Sequence, residues 1–197
     1  MKKVGLLFAL PFLLMGCDFG NKTPTQKIVK QYITNNYYVD DENPQGLDFF
    51  LQNDGTYGVG VGNAVCLDVI TVPATYKNKA VSKVVSYGFS GEQETNNQLN
   101  MDEARVKRVI LPESIISIGQ CGLNWVFMES VVLPKSLETV GTEALDGEGL
   151  NSVEYRGTYA EFKEISFGDS WIRNYDTDNI TFTFSDCTMT YDEFMNA

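Results

Sequence analysis

The side chains able to do chemistry are few in this 197-residue chain, and their types exclude more than they suggest. There is no histidine. The Ser-His-Asp and Cys-His routes to an activated nucleophile are therefore absent. Four cysteines occur, at 17, 66, 121 and 187. No pair has CxxC spacing, and without histidine a structural zinc site is not expected. Gly58-Val-Gly-Val-Gly62 lacks the helix start and the Lys-Ser/Thr that would make it a phosphate loop; it reads as strand and turn. The acid runs Asp40-Asp41-Glu42 and Asp102-Glu103 lack the alternating oxygen ligands of a calcium loop and read as solvated charge. Nothing singles out two of the 26 acids as a glycosidase pair. Catalysis, metal and cofactor are thus not expected.

The chemistry that is expected lies at the N-terminus. Lys2 and Lys3 precede an apolar stretch, Val4 to Met15. This is short of the roughly 20 residues a spanning helix needs, and it fits an export signal. It ends in Leu14-Met15-Gly16-Cys17, which resembles the lipobox of bacterial lipoproteins. The resemblance implies cleavage after Gly16 and diacylglycerol on the thiol of Cys17, with an ordinary secretory signal as the alternative. Several acyl chains on one terminus give stable anchoring. Removing residues 1–16 leaves 13 basic and 26 acidic groups, a net charge of −13. Such a balance disfavours nucleic acid, whose binding needs cations against phosphates. Cys66, Cys121 and Cys187 cannot all pair. Isolated thiols, or one disulfide in an oxidising compartment, both remain open.

Internal periodicity then supplies the architecture. At a spacing of 22 residues, Val109, Val131 and Val153 share a column, as do Leu111, Leu133 and Tyr155. Val106, Met128 and Leu150 form another. Ile115, Leu137 and Tyr159 follow, then Ile118, Val140 and Phe162, then Leu123, Leu145 and Phe167. Pro112 and Pro134 repeat, and so do Gly119 and Gly141, which suit a bend with positive φ. The frames run 106–127, 128–149 and 150–171. An irregular leading copy aligns Leu67, Ile70 and Val72 with Val106, Val109 and Leu111. It reaches Val84 and Phe89 only after five extra residues. Strand alternation followed by a proline stop, a turn and a second apolar segment cannot bury its apolar side alone; stacked copies can.

The segments 109–123 and 131–145, Val-Ile-Leu-Pro-Glu-Ser-Ile-Ile-Ser-Ile-Gly and Val-Val-Leu-Pro-Lys-Ser-Leu-Glu-Thr-Val-Gly at their starts, resemble BspA-type leucine-rich repeats. The segment from Glu154 to Ile165 is similar to the closing unit of such arrays. Leu123 and Leu145 stand where that family has Phe, and Gly122 where it has Ala. The resemblance implies a strand-rich solenoid and extracellular adhesion or recognition, with no catalytic residue and no cofactor. The expected fold is mainly β: a short leucine-rich-repeat solenoid of about 3–4 repeats of 22 residues, with β-hairpin caps at both ends.

The expected organisation is a signal over 1–16, a lipid-anchored tether over 17–24, an N-terminal segment and β cap over 25–66, repeats over 67–171 with an inserted loop at 92–105, and a C-terminal β cap over 172–197. Within 25–66, Thr25 to Tyr38 could form a short helix, and Asn53-Asp54-Gly55 signals a hairpin. At the other end Ile180 to Phe184 and Thr188 to Tyr191 could pair, with Trp171 plugging the last unit. If Val109 and Leu111 face inward, the outward columns are Lys107, Glu129 and Asn151; Arg108, Ser130 and Ser152; and Ile110, Val132 and Glu154. Lys107, Arg108, Ile110, Glu129, Val132 and Glu154 form the candidate binding surface, unless the aliphatics are scattered or covered by the inserted loop. The expected protein is a cell-surface lipoprotein held to the membrane by its lipid and binding an extracellular protein or glycan. The alternatives are a structural envelope role and a secreted accessory hydrolase.

Overall fold

The computed structural model describes residues 43, 45–90, 105–125, 127–172 and 180–197. Cys17, the signal, the tether, the helix expected over 25–38 and the inserted loop up to residue 104 lie outside them.

Thirteen short strands, β1 to β13 in chain order, build two sheets among these residues. In the repeats the first apolar segment forms β3 (Val69–Thr71), β6 (Arg108–Ile110), β8 (Ser130–Leu133) and β10 (Ser152–Tyr155). These pair in parallel, register on register: Ile70 with Val109, Val131 and Val153. After the proline stop and a turn, the second segment forms β5 (Lys79–Val84), β7 (Ser117–Ile118), β9 (Thr139–Val140) and β11 (Ser166–Phe167). These also pair in parallel, aligning Val84, Ile118, Val140 and Phe167. Each repeat thus gives one strand to each sheet, and the apolar residues meet between them. Val109, Leu111, Ile115, Leu123 and Leu133 are fully buried. Burying each such side chain is worth about 1.5–3 kcal/mol, and only the stack provides the burial. The chain is a mainly β solenoid of about four turns.

The ends depart from the repeat in order to close it. β1 (Asp48–Leu51) and β2 (Tyr57–Gly60) form the expected hairpin. Gly55 adopts φ 86° at its turn, and the Asp54 carboxylate accepts hydrogen bonds from the Thr56 N–H (2.9 Å) and hydroxyl (2.7 Å). β2 then joins β5 in parallel, so the cap is also the first strand pair of its sheet. At the far end β12 (Thr181–Thr183) adds a further parallel rung beside β10, and β13 (Thr188–Thr190) turns back on it. A one-turn helix, α1 (Tyr159–Phe162), precedes β11. Tyr191, expected in the last strand, instead opens a second helix, α2 (Tyr191–Met195), with Thr190 and Glu193 forming a reciprocal cap. Phe194 on this helix stacks on Phe182 at 4.3 Å. Trp171 lies 4.4 Å from Phe167 and 6.0 Å from Phe162.

Two expectations are corrected. The 22-residue frame slips in the third unit. Helix α1, capped by Thr158 and Glu161, inserts five positions between the two strands. Phe167 therefore takes the column of Ile118 and Val140 that Phe162 was expected to fill. The Leu145 N–H bonds Trp171 O as the Leu123 N–H bonds Ala144 O. That leaves Ile172, not Phe167, in line with Leu123 and Leu145. Phe162 is fully buried from the helix, and Tyr159 is half-buried, 5.3 Å from Phe184.

The second correction concerns the bend. Gly119 and Gly141 do not have positive φ; the left-handed residues are Tyr87, Cys121, Glu143 and Ser170, with φ of 58°, 48°, 54° and 49°. The glycines are needed for closeness. A Cβ on Gly119 would lie 2.5 Å from Ser86 N, and one on Gly141 2.6 Å from Gln120 N. Both are backbone atoms of the preceding rung, so any side chain there would push the rungs apart.

Candidate functional site

The corner before the long strands is built by shared carbonyls. Asp68 O accepts the N–H groups of both Lys107 and Arg108. Lys107 O accepts those of Glu129 and Ser130, and Glu129 O those of Asn151 and Ser152. Asp68, Lys107, Glu129 and Asn151 thus stand in one outward column, with charge alternating over its first three members. Lys107 Nζ meets Glu129 Oε1 at 2.9 Å. That hydrogen bond first, then the Glu129 charge, and more weakly Asp68, raise the lysine pKa.

Beside this column lies an open concavity of about 400 Å³, lined by Asp68, Arg105, Lys107, Phe127 and Glu129. Phe127 is 49% exposed. Lys107 and Glu129 were legible from the repeat. Asp68 was within reach too, because the leading copy places it in the Lys107 column. Phe127 had a weaker signal: an aromatic residue directly before Met128, at the position that is Arg105 in the unit before.

The rest of the predicted surface lies on the outward face of β6, β8 and β10. Arg108 Nη2 reaches Glu154 Oε2 at 3.3 Å, from β6 to β10, passing over β8. Arg156 reaches back the other way, its Nη1 donating to Leu111 O (3.0 Å) and Glu113 Oε1 (3.2 Å). Val132 sits on β8 between these two straps and beside Ile110, and only 3% of it is exposed. Long cationic stems cover apolar surface in this way. Val132 therefore offers no surface to a ligand, and Ile110 is half-buried. The patch divides in two: Lys107 and Glu129 line the concavity, while Arg108 and Glu154 form a self-neutralised strap.

Among the described residues Cys66, Cys121 and Cys187 form no disulfide. Cys121 is buried, its Sγ 3.7 Å from Glu143 Oε2, and burial followed by the carboxylate charge raises its pKa. The thiol stays protonated and is a poor nucleophile. What the concavity can do is recognise: fixed charges of both signs around an exposed ring suit a partner carrying donors, acceptors and an apolar face.

No family model matches the chain, and no curated protein matches it. The solved structure of a leucine-rich repeat protein from T. pallidum is similar to it, with a TM-score of 0.35 and 15% identity, covering 71% of this chain and 84% of that one. The solenoid described above stands on the register of this chain's own strands.

Proposed function

We propose that the chain is an exported bacterial lipoprotein of BspA-type leucine-rich-repeat character, anchored through Cys17, that binds an extracellular protein or glycan. The observation that carries the binding role is the concavity of Asp68, Arg105, Lys107, Phe127 and Glu129, open beside a solenoid face whose arginines are already paired across the strands. Solenoids present repeated columns as recognition surfaces, and aromatic residues within a polar rim are enriched at interfaces. The repeat residues themselves are accounted for by packing, which favours a binding module over an enzyme.

Two experiments test this reading. The soluble domain from Thr23 onward is presented to arrays of extracellular matrix proteins and surface glycans. The Phe127→Ser/Lys107→Ala double variant, altered only at exposed positions, is expected to lose at least about tenfold in affinity for whatever the parent binds. Equal affinity of parent and variant for every captured ligand would remove the site. Cys17→Ser in the full chain is expected to abolish incorporation of an alkynyl fatty acid during expression; persistent labelling would remove the anchor.

A further inference from the structure

Inside a stack each rung draws its backbone hydrogen bonds from its neighbours, so the terminal rungs need another source. Among the described residues, the sheet of long strands ends at β3 on one side and at β13 on the other. In β3, Asp68 O accepts the Arg108 N–H, and the Val72 N–H donates to Ile110 O. The backbone groups of Asp68, Ile70 and Val72 therefore face β6, and those of Val69, Thr71 and Pro73 face away from the stack.

The interior rungs show what belongs at that edge. Ile110 O accepts the Val72 N–H at 2.9 Å, and Val132 O accepts the Leu111 N–H at 3.0 Å, each from the rung before. Thr71 is the register mate of Ile110 and Val132, but among the described residues no strand precedes it in this sheet. Gln45 takes that place. Its Nε2 donates to Thr71 O at 2.5 Å, and its Oε1 accepts from Thr71 N at 3.0 Å. One side-chain amide thus does the donating and the accepting of an absent rung. Its setting is fixed on both sides. Asn43 Oδ1 accepts the Leu47 N–H (2.9 Å), Asn43 Nδ2 donates to Leu47 O (2.7 Å), and Gly46 O accepts the Asn63 N–H (2.8 Å). Pro73 has no N–H to offer. Val69, 48% exposed, carries the remaining N–H of the edge.

The far edge is finished the same way from an unrelated segment. Ile180 O accepts the Tyr191 N–H, and Cys187 O accepts the Phe184 N–H. Antiparallel alternation then turns the backbone groups of Thr188 and Thr190 away from β12. The Thr190 N–H is taken by Glu193 Oε2 at 2.8 Å, from the first turn of α2. The bond that caps this helix therefore also closes the sheet.

We infer that Gln45 and Glu193 are edge guards: side chains that fill the hydrogen-bond positions at the two ends of one sheet and so keep the solenoid from joining a second copy end to end. Such a contact is heterologous and does not close. Each copy added would present a fresh edge, and the product would be a fibre. Short edge strands and proline are ordinary blunting devices, and here an amide and a carboxylate complete them.

The test uses the chain from Asp18 onward, which contains every described residue. In Gln45→Ala the Thr71 amide is expected to exchange with deuterium at least about threefold faster than in the parent, the effect of losing one hydrogen bond, while the Leu111 amide keeps its rate. In sedimentation velocity the parent is expected to stay monomeric. Gln45→Ala/Glu193→Ala is expected to self-associate, reaching at least about twice the parent's mass as concentration is raised. Adding Val69→Pro, which removes the remaining edge donor, is expected to return that variant to the monomer, whereas association through unfolded chain would persist. An unmoved Thr71 exchange rate, a monomeric double variant with native circular dichroism, a parent that associates equally, or association that survives Val69→Pro overturns the proposal. Should the double variant lose its native spectrum, the exchange rate in Gln45→Ala decides alone.

Discussion

Gly141 holds two rungs at contact distance, and its backbone could be adopted by any residue; only the space is restrictive. Gly141→Ala places a methyl 2.6 Å from Gln120 N and 2.7 Å from Gly119 C. Backbone, unlike a side chain, cannot swing away. We expect a loss of at least about 2 kcal/mol in urea unfolding. The spacing of Gly119 and Gly141 was readable, but its cause was not. Close approach between rungs and a left-handed bend both select glycine, and sequence does not tell them apart. The left-handed positions went to Cys121 and Glu143, residue types that hide the requirement. Glu161 gives the second residue-scale prediction. Its carboxylate bonds Lys135 Nζ at 2.8 Å and also accepts from Thr158, and these bonds, Lys135 first, lower its pKa from 4.5 to about 2. A folded-state pKa below the unfolded one means that the contribution to stability is complete above about pH 4.5 and is lost as pH falls towards 2. An NMR titration should place the Glu161 midpoint near 2 in the parent and higher in Lys135→Ala; an unmoved midpoint would contradict the assignment.

Helix α1 is the element that broke the periodicity. Both ends of the array carry the same enlargement: twelve positions separate Val72 from Val84 and Tyr155 from Phe167, against seven from Leu111 to Ile118. The first enlargement is the hairpin of β4 (Thr75–Tyr76) with β5, the last is α1. The leading one was legible because lysines and asparagine interrupt it visibly. The trailing one was not, since Tyr159 and Phe162 are aromatic and fall on the expected frame by coincidence. The overlooked signal was Thr158-Tyr-Ala-Glu161, a reciprocal capping box, and Thr190-Tyr-Asp-Glu193 repeats it before α2. Thr158→Ala should cost about 1 kcal/mol. Phe162→Ala should cost about 3–5 kcal/mol, since Phe162 is fully buried amid Tyr155, Phe167 and Phe184. Calorimetry on the two variants checks the ratio; a Phe162→Ala cost no larger than the cap's would mean that α1 is peripheral to the core.

At the scale of the whole molecule, architecture was the most legible property, because repeated burial leaves a periodic trace in sequence. The site was less so. Register could be counted, giving Lys107 and Glu129, but the crossing of Arg108 and Arg156 over Val132 depends on where long side chains end, which spacing does not encode. Between the two enlarged units lie the regular ones, 106–127 and 128–149, joined to their neighbours through parallel register. A second copy of 128–149 inserted after Gly149 would put Met128 where Leu150 now follows. Met128 and Leu150 share one buried column, so the new junction keeps the frame. We expect the duplicated chain to fold as a monomer with a larger urea m-value, since m follows the surface buried; an unchanged m-value would show the extra unit unfolded. The two enlarged units are thus terminators around a copyable interior. Gene duplication can lengthen such a protein without disturbing either end. Each added unit would move the C-terminal cap about 4.8 Å farther from the N-terminal hairpin, the spacing of one strand from the next, so length here is a ruler that evolution can reset one notch at a time.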